Sequence, residues 1–257
     1  MVARPQPVRG RVYALALLAA GLLVLAFVWP PFAQPQAYHD FADQRAWMGI
    51  PNYGNVASNV MFLVVGLAGL GAMRTPAVRA MEPASRHAYA LMFVGLAFTT
   101  FGSAYYHWAP SDTRLVWDRL PMTVVFMPLL AATYAERLRW RSDLPLLVLT
   151  LLGIGSVVYW KFSDNLMPYL IAQGGSILQM VLALAVLPTP WTERRLLWPA
   201  LGCYAIAFVC EKLDVDIFRA SRGVISGHTI KHLVAAAAFY FILHMLRRQQ
   251  LKTDTDR

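Results

Sequence analysis

Charge is what this sequence has least of. Only 14% of its 257 residues are Asp, Glu, Lys or Arg, against 58% hydrophobic ones. A soluble domain of this length would carry about a quarter charged residues. With a mean hydropathy of +0.46, a soluble fold is excluded and an integral membrane protein is expected. Acidic residues are scarcer than basic ones, 14 against 23, for a net charge of +9. On a soluble chain that excess would suggest nucleic acid. Here the basic residues fall in alternate loops, so the excess reads as membrane topology and no nucleic-acid partner is expected. Cysteine is limited to Cys203 and Cys210, seven apart in one apolar segment. On a helix they would sit ~10 Å apart along the axis, beyond disulfide reach, and they read as packing residues. No internal repeat is visible, and no Gly/Ser linker marks off a second domain.

What is there is a series of apolar runs. Eight can be read, at about 12–29, 53–73, 87–107, 115–134, 144–160, 166–187, 195–213 and 228–246. Most reach the roughly 17–25 residues that a helix needs to span hydrocarbon. In lipid the backbone must satisfy itself, which makes helices the expected form. The first run, Tyr13–Trp29 behind "ARPQPVRGR", is longer than the ~7–15 residues of a signal-peptide core, so an uncleaved first helix is expected. The polar stretch 247–257 reads as a short cytoplasmic tail.

Arginine and lysine orient the chain. Arg4, Arg9 and Arg11, then Arg74, Arg79 and Arg86, Arg137, Arg139 and Arg141, Arg194 and Arg195, and Arg247, Arg248 and Lys252 fall on one side. The other side keeps Arg45, Arg114, Arg119, Lys161, Lys212, Arg219 and Arg222. The bias puts both termini in the cytoplasm. The Arg-, Ala- and Leu-rich composition suggests a bacterium, and hence its inner membrane.

Ionisable residues in membrane segments are costly and are functional candidates by default. "GSAYYHWAP" ends the third segment with Ser103 and His107 four apart, hence on one helix face. "LVWDRLPM" opens the fourth with Asp118, "CEKLDVDIF" closes the seventh with Glu211, Asp214 and Asp216, and "SGHTIKHL" opens the eighth with His228 and His232. The parity of the segments brings all four groups to the outer end of the membrane. Three histidines and one open position suit a catalytic zinc ion, and a pair at i, i+4 reaches one ion from adjacent turns. Asp118 could then accept the proton of a water acidified by the metal, and Ser103 could donate to a developing oxyanion.

Each residue also has a plainer reading. A single histidine at a membrane end is commonly interfacial or bonded to a carbonyl, and His39, His87 and His244, at segment ends and expected to lack partners, fit that description. Glu211, Asp214 and Asp216 are candidates for orienting a histidine N–H, or equally for an ion pair with Arg222 or Lys212. Lys231 either snorkels outward or pairs with an acid such as Glu211. Trp108, Trp117 and Trp160 suit an interfacial belt.

"GSAYYH", "WDRLPM" and "SGHTIKHL", in that order, resemble the Ser-x-x-x-His, Asp and His-x-x-x-His motifs of the alkaline ceramidase family. That family belongs to a superfamily of seven-helix membrane hydrolases which includes the progestin and adiponectin receptors. The resemblance covers about 38–246, and "GIPNYGNVASNVMFLVVG" is similar to the family's Asn-rich start of its first core helix. It implies an all-α polytopic membrane bundle with a seven-helix domain over 31–246; the basic segment and additional transmembrane helix of 1–30 depart from that seven-helix core. It also implies a zinc ion on His107, His228 and His232, with Asp118 as general base and Ser103 assisting the oxyanion. The implied reaction uses water to hydrolyse the N-acyl bond of ceramide or a similar membrane N-acyl lipid, releasing fatty acid and a sphingoid base or other amine. Eukaryotic members carry an acidic calcium site before the first core helix. Here Asp40 and Asp43 are its possible ligands, but Asn52 stands where another acid is expected. Hydrolysis of a lipid ester or phospholipid, and a non-catalytic lipid-sensing receptor with a structural zinc, are the competing readings. A structural zinc would need neither Ser103 nor Asp118. A transporter's proton relay would place its ionisable groups at mid-membrane instead.

Overall fold

The computed structural model describes residues 6–251. Arg4, Lys252 and most of the polar tail lie outside the described residues. The fold is all-α. Its helices are α1 (Gln6–Val28), α2 (Tyr53–Ala57), α3 (Val60–Ala72), α4 (Pro76–Arg79), α5 (Pro83–Trp108), α6 (Asp112–Leu138), α7 (Leu144–Ser163), α8 (Met167–Val186), α9 (Leu197–Lys212), α10 (Asp214–Ala220) and α11 (Gly227–Arg248). All eight apolar segments are helical. Among the described residues, seven helical stretches are long and apolar enough to cross a membrane, α2 and α3 counting together as one. The stretch Thr192–Lys212, followed by α10 at a bend of 80°, makes an eighth. The chain is a polytopic helical membrane protein, and apolar side chains such as Leu17, Phe27 and Phe162 are exposed as lipid contact requires.

Several helices run beyond their apolar cores. The fourth segment, expected over 115–134, spans Asp112–Leu138. Asp112 lies in its first turn and Arg137 in its last, where the helix dipole favours those charges. Proline at the first positions of α7 and α8 needs no N–H partner there. Asp164 ends α7 in the left-handed conformation, its N–H returning to the Trp160 carbonyl. Trp160 itself is buried, unlike the exposed Trp108 and Trp117, so it packs inside rather than joining an interfacial belt.

The chain divides into two compact units. One comprises the chain up to Gln34, Glu82–Met92 and Thr123–Pro190. In it α8 packs against α1 and α7, around Leu15, Ala183 and Leu187. Polar bonds fasten α1 there: Gln179 donates to the Leu15 carbonyl at 3.0 Å and Arg11 to the Val186 carbonyl at 2.8 Å. The other unit comprises Pro35–Met81, Phe93–Met122 and the chain from Trp191. In it α11 is the central helix, packed against α9 and α3. Every candidate site residue lies in this second unit.

Two glycines bring its helices close. A Cβ on Gly102 of α5 would collide with the Trp117 carbonyl of α6, and one on Gly227 would collide with the Cys210 carbonyl of α9. The first contact lies beside Ser103 and Asp118, the second beside His228. Absence of a side chain at these two positions is therefore what lets the site close up.

Candidate metal centre

The start of α11 sets the register of two candidate ligands. The first turn of a helix leaves its N–H groups without partners. Ser226 caps the helix by accepting from the Thr229 N–H at 3.1 Å. Asp214, at the start of α10, accepts the His228 N–H at 2.7 Å and, through its other oxygen, the Ala42 N–H at 2.9 Å. Asp214 thus holds the backbone of a histidine rather than its ring, and it ties together α10, α11 and the strand of chain before α2. His228 and His232 then follow on adjacent turns of one face.

His107 arrives from the end of α5. Asn52, in the left-handed conformation before α2, donates to its carbonyl at 2.8 Å and so closes that helix end. The three imidazoles form a nearly equilateral triangle, with centroid separations of 4.8, 5.0 and 4.9 Å. One potential ligand atom from each lies within 4.8 Å of the others, and all three residues are buried. This is a cluster that can hold a metal ion.

The hydrogen bonding fits such an ion. The Nδ1 atom of His232 is 2.8 Å from the Ser58 hydroxyl, which itself donates to the Asn55 carbonyl at 3.3 Å. With its proton directed there the hydroxyl accepts from the ring, so Nδ1 carries the proton and Nε2 keeps its lone pair. By contrast, Nδ1 of His107 and Nε2 of His228 are buried with no hydrogen-bond partner. A buried polar atom left alone costs about 1–3 kcal/mol, and coordination would satisfy both. Phe41 covers the cluster, its ring centroid 4.7 Å from that of His107 and 4.5 Å from that of His228, while Phe62 lies 5.9 Å from His232.

Ser103 and Asp118 are buried and meet each other. Ser103 hydrogen-bonds the Asp118 carboxyl. Ser103 lies one helical turn before His107, so this carboxyl is tied to the helix that carries a ligand. Lys231, Arg119 and Glu211 lie within electrostatic reach of Asp118. Lys231 pairs with Glu211 at 2.8 Å, which decides between the two expectations for it. Glu211 bonds neither Arg222 nor Lys212; its other hydrogen bond comes from the Tyr38 hydroxyl at 3.2 Å.

The possible calcium ligands behave otherwise. Asp43 gives both carboxylate oxygens to Arg45, at 2.8 and 2.7 Å. Those bonds hold its carboxyl below the usual range, while burial pulls the other way. Arg45 reaches on to the Val224 carbonyl and lies over the Phe218 ring, so a guanidinium already neutralises Asp43. Asp40 is exposed. Neither aspartate joins a cluster of potential metal ligands among the described residues.

The remaining histidines have partners. His39 contacts the Tyr106 hydroxyl at 2.9 Å and Asp112 at 3.0 Å. His87 contacts Asp143 at 2.8 Å, and His244 stacks on Tyr240. The residues that sequence reasoning passed over are Asn55 and Ser58 around the cluster and Phe41 over it; Asn52, noted only for the acid it replaces, closes the end of α5. Asn55, Ser58 and Asn59, spaced i, i+3, i+4 in an apolar run, were the available signal. Comparison with known proteins leaves the cluster to speak for itself: no family model matches the chain, and no curated protein matches it.

Proposed function

We propose that this chain is an intramembrane zinc-dependent amidase, similar to the alkaline ceramidases, that hydrolyses the N-acyl bond of ceramide or a comparable N-acyl lipid. The observation that carries the reading is the Ser103–Asp118 hydrogen bond one helical turn from His107. A metal held only for structure needs no carboxyl and hydroxyl beside it.

His107, His228 and His232 would hold the ion. A bound zinc supplies Lewis-acid polarisation of a carbonyl and makes a water more acidic. Asp118 takes the proton of the attacking water and returns it to the departing nitrogen. Ser103 holds the Asp118 carboxyl in line, one helical turn before His107. Ser58, itself bonded to the Asn55 carbonyl, fixes the ring of His232. The acyl carbon gains the water oxygen and the nitrogen gains the proton, so fatty acid and amine leave. Positive-inside bias puts both termini in the cytoplasm and the site toward the outer face.

The test is turnover of matched N-acyl and O-acyl lipids by purified protein in detergent micelles. Hydrolysis of the amide is expected, and Asp118→Ala should lose it by about 10²–10⁴-fold while keeping its zinc. Turnover of esters alone would replace amidase by esterase. A fully active Asp118→Ala would remove the base from the mechanism.

A further inference from the structure

Lys231 is an expensive residue to place where it is. It lies on α11 one turn after His228 and directly before His232, and its side chain is 21% exposed. A cation here faces three candidate ligands of a second cation, and Coulomb repulsion in a poorly solvated site is strong. Its partner Glu211 is as deeply placed, at 19% exposed. Where α9 and α11 only need to adhere, apolar residues of similar volume generally do at least as well as a buried ion pair. Ionisable groups in a membrane segment call for a reason beyond packing.

The pair has spare bonding capacity. Glu211 receives both of its hydrogen bonds, from Lys231 and from Tyr38, on the same oxygen, Oε1. Oε2 accepts none of these. Lys231 donates one bond, to Glu211, out of three available to an ammonium. Neither side chain is sealed. Asp118 lies within electrostatic reach of both.

We infer that Lys231 and Glu211 are the specificity residues that read the lipid's head group, taking one that offers a hydrogen-bond acceptor to the ammonium and a donor to the carboxylate without net negative charge. A hydroxyl beside the nitrogen meets that requirement. A phosphate in its place does not, because it would bring negative charge up to Glu211 and Asp118. An alkyl head leaves both partners unanswered. The inference rests on the hydrolase reading for the identity of the ligand as a lipid amine derivative, but its test does not depend on turnover.

The probes are three long-chain amines of equal length: a 2-amino alcohol, the plain alkylamine, and the O-phosphorylated amino alcohol. Binding to the metal-loaded full chain is read in detergent by thermal shift and tryptophan fluorescence. The amino alcohol should bind about ten- to a hundredfold more tightly than either analogue, the range set by leaving one buried polar group unpaired. Lys231→Met and Glu211→Gln should each flatten that preference. Because a single change leaves a charge without its partner, the double variant Lys231→Met, Glu211→Leu keeps the test sound. It restores an apolar α9–α11 contact, and it should keep its melting temperature and metal content yet bind all three probes alike. Equal binding of the three by the unaltered protein overturns the inference. So does a double variant that still prefers the amino alcohol. If the preference is present and lost as expected while no N-acyl lipid is hydrolysed, the amidase reading falls and the head-group assignment stands.

Discussion

The Ser58 hydroxyl sits 2.8 Å from Nδ1 of His232 and so fixes which ring nitrogen of that histidine is free to bind metal. Such outer partners commonly contribute 10–100-fold to metal affinity. Ser58→Ala should therefore weaken zinc binding by about that factor, measured by competition with a chromophoric chelator. An unchanged affinity would mean that the serine does not orient the ring.

The ligand assignment predicts stoichiometry. Purified protein should hold about one zinc per chain by elemental analysis, and the combined His228→Ala, His232→Ala variant should hold none. Chelation should also lower the melting temperature of the unaltered protein, since a ligand present at about 1,000 times its Kd stabilises by about 4 kcal/mol. The variant should not respond to the chelator. Zinc retained in the variant would place the metal elsewhere.

The spanning segments were legible because lipid enforces one solution: a long apolar run must be a helix, and the parity of such runs fixes which ends meet. That logic carried His107, Asp118, Glu211, Asp214, His228 and His232 to one end. The limits were set by contacts that no periodicity encodes. Asp214 was a candidate for orienting an imidazole but bonds the backbone of His228, because the 80° break after α9 aims it at the N–H groups of the first turn of α11. Trp160 was placed in a belt because tryptophans favour interfaces, yet its face of α7 turns inward. Phe41 and Ser58 come from an irregular stretch and from the broken start of a helix, where neither spacing nor hydropathy indicates direction. Whether Lys231 snorkels outward or pairs with Glu211 depends on the approach of α9 to α11, which the sequence does not encode.

The approach of α5 to α6 at Gly102 is a second place where the site can be tested through packing. A methyl there must push back the Trp117 carbonyl, and backbone cannot yield as a side-chain end does. Gly102→Ala should cost about 1–3 kcal/mol as an overpacked contact. It should also cost activity, because Ser103 and Asp118 flank the displaced atoms. The measurement is melting temperature together with turnover and zinc content. Loss of turnover with zinc retained is expected, since His107 lies a full turn further along. Unchanged stability would mean that the helices tolerate a wider spacing than the structure has.

The Asp43–Arg45 brace predicts a pH dependence whose sign can be worked out. Arg45 holds the Asp43 carboxyl below its ordinary range in the folded protein. The folded state therefore binds that proton less readily than the unfolded one. Stability from this group is fully present above the unfolded value of about 3.9 and is lost as pH falls through the lower folded value. Arg45 is more than half exposed, so the contribution is that of a solvent-screened pair and is small. Asp43→Asn should melt slightly lower than the unaltered protein at neutral pH, and the two should converge as pH falls through the lowered folded value. Other groups that take up protons at low pH act on both proteins and cancel in the difference. Arg45→Gln should be worse than Asp43→Asn at neutral pH, because it strands a buried carboxylate instead of removing one. If the gap between the unaltered protein and Asp43→Asn instead widens with acid, the carboxyl is not held in its charged form and the brace is not what anchors the chain before α2.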